Sequence, residues 1–297
     1  MSTSDDRQAN VAPATLRELL ASPKGVVAPL VLNPLMARLA EASGFAAGYL
    51  GGGATGYVNC GTEANLGLTQ LVHAGIEIMA QSPLHLILDG TCGWGDPMHV
   101  RHTVRVAEAA GFAAIEIEDQ LLPKRAHHHV GVEHLIPLEL MVAKIEAAVA
   151  ARRSPDFLII GRTNAARVHD LDEAVRRALA LHRAGADVLL VMPENAEGLR
   201  AVAKRLPRPL MCMLPGGGAE AVGIALPELA AMGYALIVDS QTPLFAMFHA
   251  VRRSYDALAR GLPNPIIGTT GPDEEKRIHE MIGLDRMLEI ERRTVER

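Results

Sequence analysis

Asp89, Glu118, Asp119 and Arg162 share one kind of position: each closes, or directly follows, a short apolar run rich in branched residues. Gly51-Gly52-Gly53, Glu194 and Met213 stand at comparable points elsewhere in the chain. Carboxylates opposed by a single arginine suit a small anionic substrate, because the planar guanidinium matches a carboxylate with two parallel hydrogen bonds. Oxygen donors of this kind favour Mg²⁺ or Mn²⁺ over zinc, and magnesium commonly keeps several of its waters.

Such a site needs a scaffold that brings distant run ends together. Eight strand candidates can be counted: 26–32, 46–51, 84–89, 113–118, 157–162, 187–192, 209–214 and 234–239. Longer amphipathic stretches alternate with them, including 34–42, 66–80, 99–110, 137–152, 170–184, 196–205, 227–232 and 243–260. Repeated βα units of this length predict an α/β fold, a (β/α)8 TIM barrel with a C-terminal helical extension, whose functional groups lie at the C-terminal strand ends. Asp170 followed by Glu173 reads as a capping box and Pro227 as a first helical turn, while Gly216 to Gly218 reads as a loop. The expected organisation is a flexible lead-in over 1–15, the barrel over 16–262 and a helical arm over 263–297, its helix running from Glu274 to Arg293.

The chain has 297 residues, 49% of them hydrophobic, and a formal net charge of −5 with both signs interspersed. That balance argues against nucleic acid and acidic membranes as partners. Cys60, Cys92 and Cys212 stand far apart without CxxC spacing, which argues against a disulfide framework and fits a reducing cytoplasm. Residues 1–13 are polar and lack the apolar core of a signal peptide, and no apolar run is long enough to span a bilayer.

Three segments, Ile115 to Arg125, Ile159 to Ala165 and Leu210 to Val238, in that order and spacing, resemble the phosphoenolpyruvate mutase/isocitrate lyase superfamily. Ile115-Glu116-Ile117-Glu118-Asp119-Gln120, followed by Pro123-Lys124-Arg125, is similar to its fourth strand and gating loop. Ile159-Ile160-Gly161-Arg162-Thr163-Asn164-Ala165 resembles its IxARTDA motif, and 210–218 with 228–238 resembles its methylisocitrate-lyase-like branch. The resemblance covers about 16–255. It implies that Asp89 is a metal ligand, Glu118 an acid acting through metal-bound water, and Arg162 a carboxylate clamp, with the amides of Gly51 and Gly52 cradling substrate oxygens. Glu194 and Met213 join the expected substrate-binding set.

The chain also departs from that pattern. Asp89-Gly90-Thr91 stands for DxD, Gly93-Trp94-Gly95-Asp96 for GYGN, and Asn65 where many members carry a further aspartate, so the cation site is weaker unless Asp96 compensates. In the gating loop, Lys124-Arg125-Ala126-His127-His128-His129 places Ala126 where lyases carry a proton-donating cysteine. A methyl group delivers no proton, so either His128 or a neighbouring imidazole such as His127 inherits the task, beside Lys124 and Arg125, or the reaction needs no proton from this loop. Consecutive residues do not converge from a regular element, which disfavours a metal site made of all three histidines; a solvated lid is the plainer reading. Cys92 reads as packing. The expected activity is a magnesium-dependent carbon–carbon lyase of a small 2-hydroxy or 2-oxo dicarboxylate, with an oxaloacetate-type decarboxylase or a silent carboxylate-binding barrel as alternatives. The resemblance also implies a homo-tetramer that exchanges the helix within 243–260.

Overall fold

In this computed structural model, which describes residues 14–296, eight parallel strands form one barrel. They are β1 (Val26–Pro29), β2 (Ala47–Leu50), β3 (His85–Asp89), β4 (Ala114–Glu118), β5 (Leu158–Thr163), β6 (Val188–Val191), β7 (Leu210–Leu214) and β8 (Tyr234–Asp239). Hydrogen-bonded neighbours run from β2 through β8 to β1. The ring closes where Leu30 bridges Tyr49 and the Val31 amide donates to the Tyr49 carbonyl at 3.0 Å. All eight expected strands are present, each end within three residues of its expected place.

The two-residue period of a strand divides the side chains. Ile115 and Ile117 of β4, with Leu86 and Leu88 of β3, face the outer helices and are fully or almost fully buried there. Ala114 of β4 and Ile87 of β3 face the lumen, packed with Leu158, Ile160, Val188 and Leu236. Burying one such side chain stabilises the fold by about 1.5–3 kcal/mol, so the two layers tolerate a cluster of charges at one end of the barrel. A short helix, Leu16–Leu20, stoppers the other end: Leu16 and Leu20 join the lumen cluster. Thr15 starts it with a capping box to Glu18, a signal that lay just inside the expected lead-in. The rest of that lead-in, residues 1–13, lies outside the described residues.

Helix starts follow their caps. Asn33 accepts from the Met36 amide at 2.9 Å to begin Pro34–Ala42, and Asp170 accepts from the Glu173 amide at 2.8 Å to begin Leu171–Arg183. Only this half of the expected box at Asp170 forms, because Glu173 turns instead to Arg176 and Arg177. The expected single helix from Glu274 to Arg293 is two helices, Gly271–Ile282 and Leu284–Thr294. Gly283 separates them at φ 72°, a left-handed conformation that ends the first helix.

Candidate active site

Strand alternation delivers the charges. Asp89 is two residues beyond Ile87, Glu116 and Glu118 follow Ala114 by two and four, and Arg162 follows Ile160 by two, so all four sit at one mouth of the lumen. The parallel register sets Glu118 beside Arg162 and Asp89 beside Glu116. Arg162 donates from Nη1 to Glu116 Oε1 at 2.8 Å and from Nε and Nη2 to Asn164 Oδ1 at 3.1 and 3.0 Å. Its Nε also lies 3.3 Å from Glu118 Oε2. Among the described residues, one N–H on each Nη is left for another acceptor, which is the fork a carboxylate fills.

Asp89 is oriented by backbone. Its Oδ2 accepts from the Gly52 amide and its Oδ1 from the Thr91 amide, both at 2.9 Å. Thr91 holds φ 47°, a left-handed conformation rare for a β-branched residue. The Thr91 carbonyl also accepts from the Glu118 amide at 2.8 Å, so one strained residue ties the ends of β3 and β4 together.

The β4–helix connection, residues 121–134, folds over this mouth as a lid. At its neck Gln120 bridges Leu135, and the Leu121 amide donates to the His134 carbonyl at 2.7 Å. Lys124 Nζ reaches down to Glu118 Oε1 and lies 3.0 Å from Glu63 Oε1. Further along, a 3₁₀ turn at Ala126–Val130 sets His128 Nε2 2.6 Å from Glu63 Oε1 and His129 Nε2 3.0 Å from Glu63 Oε2. His129 Nδ1 pairs with the Tyr57 hydroxyl at 2.8 Å. Glu63 is thus the fixed post against which the lid closes. Its segment packs tightly on the helix Gly52–Val58: a Cβ on Gly56 would lie 2.5 Å from the Thr62 carbonyl carbon.

Charge and burial compete here. Burial acts to raise Glu118, but Arg162 and Lys124 outweigh it and bring its pKa down to about 2. Burial raises Glu116 to about 7, with Asp89 and Glu118 adding to the rise against Arg162. Asp89 is likewise raised by burial and by Glu118, against Lys124. Glu63 is held well below the usual range, because the His128 hydrogen bond and the Lys124 charge overcome its burial. Burial alone would lower Lys124, yet Glu118, Asp89 and Glu63 keep it protonated.

A cavity of about 220 Å³ opens between these groups, lined among others by Gly51, Asp89, Lys124, His128, Arg162 and Met213. The remaining expected residues stand apart. Glu194 is exposed beyond β6, before the Asn195 cap of the next helix, and does not line the cavity. Arg125 and Ala126 are exposed on the outside of the lid, and His127 turns to His134, Nδ1 to Nε2 at 3.5 Å. The Gly52 amide is committed to Asp89 rather than to substrate. Asp96 is exposed at the start of Pro97–Ala110 and adds nothing to the cavity. Asn65 is exposed as well, and Glu63, two residues earlier, is the acid that reaches the site. Asp119 points the other way, accepting from Thr163 Oγ1 at 2.6 Å and from the Asn164 amide at 3.0 Å. Cys92 is fully buried behind Glu118, and burial and that neighbour's charge push its thiol far up.

Three participants were not among the expected site residues: Glu63, Glu116 and Tyr49. The Tyr49 hydroxyl lines the cavity and donates to Glu116 Oε2 at 3.1 Å. Glu116 could have been found from the sequence, since an acid between two isoleucines shares the face of Glu118.

The donor set suits a hard divalent ion. Asp89 and Glu118 offer oxygens only; Glu63, Glu116 and Glu118 pair with Lys124 or Arg162, and Arg167, which also lines the cavity, is paired with Glu133. Burial is the first cause of the upward displacement of Asp89 and Glu116, neighbouring carboxylates add to it, and a dication would favour their charged forms.

A mouth of carboxylates with Arg162 and Arg167, covered by residues 121–134, suits small organic acids, and comparison with known proteins makes this specific. The sequence profile of phosphoenolpyruvate phosphomutase matches residues 16–259, so the chain belongs to that family. It is 32% identical to 2,3-dimethylmalate lyase of Eubacterium barkeri over 94% of this chain and 96% of that protein. Identity is 38% with 2-methylisocitrate lyase of Aeropyrum pernix, covering 79% and 76%, and 35% with oxaloacetate decarboxylase of Pseudomonas fluorescens, covering 82% of each. Among solved structures, phosphoenolpyruvate phosphomutase from Streptomyces platensis superposes with a TM-score of 0.86 at 31% identity, covering 94% of this chain and 98% of that one. Phosphonopyruvate hydrolase in complex with oxalate and Mg²⁺ gives 0.81 at 28% identity, covering 94% and 98%.

Proposed function

We propose that the protein is a magnesium-dependent carbon–carbon lyase that cleaves a small 2-hydroxy or 2-oxo dicarboxylate. The observation that carries this reading is a cavity at the barrel mouth lined by an arginine with an open fork, an oriented aspartate and a lid bearing Lys124 and His128. Arg162 binds a substrate carboxylate through its two remaining N–H groups. Asp89 and Glu118 would hold a hydrated magnesium ion, whose charge would supply Lewis-acid polarisation of the substrate oxygen. Tyr49 touches the cavity with Glu116 behind it, and a carboxyl titrating at about 7 can take up the hydroxyl proton that cleavage releases. Breaking the carbon–carbon bond leaves a carbonyl fragment and an enolate. Lys124 is a fixed positive charge beside the developing anion, and His128 returns a proton to carbon. Closure of residues 121–134 keeps water from the enolate. Met213 adds an apolar wall that suits an alkyl substituent.

An oxaloacetate-type decarboxylase is the second reading, favoured by the absence of the lyase cysteine at Ala126 and by the Pseudomonas relative. A homo-tetramer in the cytoplasm completes the proposal. No helix among the described residues is long and apolar enough to cross a membrane, and Phe248, Tyr255 and Leu258 on Thr242–Ala259 are exposed, which supports burial of that helix in an assembly. The test is a panel of 2-hydroxy and 2-oxo dicarboxylates, with and without Mg²⁺, followed for organic-acid products and CO₂. Two organic acids support the lyase and CO₂ with one acid the decarboxylase; ligand-induced thermal stabilisation without turnover leaves only a binding barrel.

A further inference from the structure

The lid carries a second set of donors that the proposed reaction does not use in full. Glu63, His128 and His129 offer one ligand atom each within 4.8 Å of one another. Both imidazoles aim Nε2 at the same carboxylate, from 2.6 and 3.0 Å, while their rings stack at 4.0 Å between centroids. Glu63 has a side chain only 4% exposed, yet its Oε2 has no hydrogen-bond partner, and neither does the His129 Nε2 that faces it. Two buried polar atoms 3.0 Å apart that are not aligned as a hydrogen bond can instead share a cation.

A regular element cannot converge three consecutive histidines. The 3₁₀ turn rotates each side chain by about 120°, so only two of them reach one side. His127 is the one that leaves, toward His134. The third ligand comes from the barrel body as Glu63. The Tyr57 hydroxyl on His129 Nδ1 is the kind of outer partner that orients a ligating imidazole.

We propose that Glu63, His128 and His129 form a binding site for a borderline divalent cation of the Zn²⁺ type, separate from the oxygen-donor site at Asp89 and Glu118, and that its occupation latches the lid shut. Ligand bonds of about 2.0–2.1 Å in a tetrahedral site set neighbouring donor atoms roughly 3.3 Å apart. The present separations from Glu63, 2.6 Å to His128 and 3.0 Å to His129, therefore need to open by about 0.7 and about 0.3 Å. Two imidazoles and a carboxylate leave a fourth position for water, and imidazole donors select against magnesium. Lys124 lies on the Oε1 side of Glu63, where Glu118 also neutralises it, and the free Oε2 is on the His129 side. His128 Nε2 cannot hold the cation and carry the proposed proton at once, so occupation holds the lid shut with the enzyme idle, and the site does not depend on which reaction the cavity catalyses.

The test is titration of the full-length protein with Co²⁺, as a visible reporter for Zn²⁺, in saturating Mg²⁺, paired with equilibrium dialysis against Zn²⁺. One equivalent with a four-coordinate visible band is expected, weakened at least tenfold by His129→Ala and by Glu63→Gln, and retained in His127→Ala and Asp89→Asn. His129 is part-exposed on the lid, so its truncation spares the core. Zn²⁺ should also slow tryptic cleavage after the exposed Arg125 in the wild type and not in His129→Ala. Absence of the band in Mg²⁺-saturated wild type, its survival in both His129→Ala and Glu63→Gln, or its loss in Asp89→Asn alone would overturn the proposal.

Discussion

Replacing Arg162 by lysine isolates the fork from the charge. Lysine keeps a cation beside Glu116 and Glu118, which an alanine would leave as buried, uncompensated charges at a cost of about 3–5 kcal/mol. The ammonium cannot, however, present two parallel N–H groups to a substrate carboxylate while still holding Glu116 and Asn164. One charge-assisted hydrogen bond to substrate is lost, worth about 1.5–3 kcal/mol. At about 1.4 kcal/mol per factor of ten, kcat/KM should fall roughly 10- to 150-fold. Steady-state kinetics with the best substrate from the dicarboxylate panel measures this, with a melting curve to show that the barrel survives. A folded Arg162→Lys protein whose kcat/KM stays within threefold of wild type would refute the clamp, and with it the assignment of the cavity to carboxylate recognition.

Three further outcomes are expected. Ala126 is exposed on the outer side of the lid, so Ala126→Cys should change kcat by less than about threefold, in keeping with typical surface substitutions; a large gain would move the proton donor from His128 to position 126. Glu116 has a folded pKa raised to about 7, so the native state holds its proton longer than the unfolded chain does. Its contribution is fully present below the unfolded pKa and is lost as pH rises through about 4.5 to 7, and Glu116→Gln should flatten that decline in denaturant-melt stability. Gly56→Ala forces a Cβ to 2.5 Å from the Thr62 carbonyl carbon, which should destabilise the fold by about 1–3 kcal/mol in urea melts and raise KM by displacing Glu63.

The strand-borne part of the site was legible because strands have a rigid period. Once 84–89, 113–118 and 157–162 read as strands, alternation alone sends Asp89, Glu118 and Arg162 to the same mouth. Glu63 was not legible for the opposite reason: it starts a three-residue 3₁₀ turn, Glu63–Asn65, between two helices, too short for a sequence period to give direction, and the resemblance points two places away to Asn65. The histidines show the same limit. Their sequence suggests one cluster, but the 3₁₀ turn gives His127 to His134 and the other two to Glu63. Glu194 illustrates the reverse error, because a residue just past a strand end can still point to solvent when the next helix begins at once.

Product analysis by NMR of a ¹³C-labelled 2-hydroxy dicarboxylate, with Mg²⁺ and again after chelation, bears most directly on the lyase assignment. Two organic acids in equal amounts, abolished by chelator and by Asp89→Asn, are the expected result. Labelled CO₂ with a single organic acid, or cleavage indifferent to both chelator and Asp89→Asn, would contradict it.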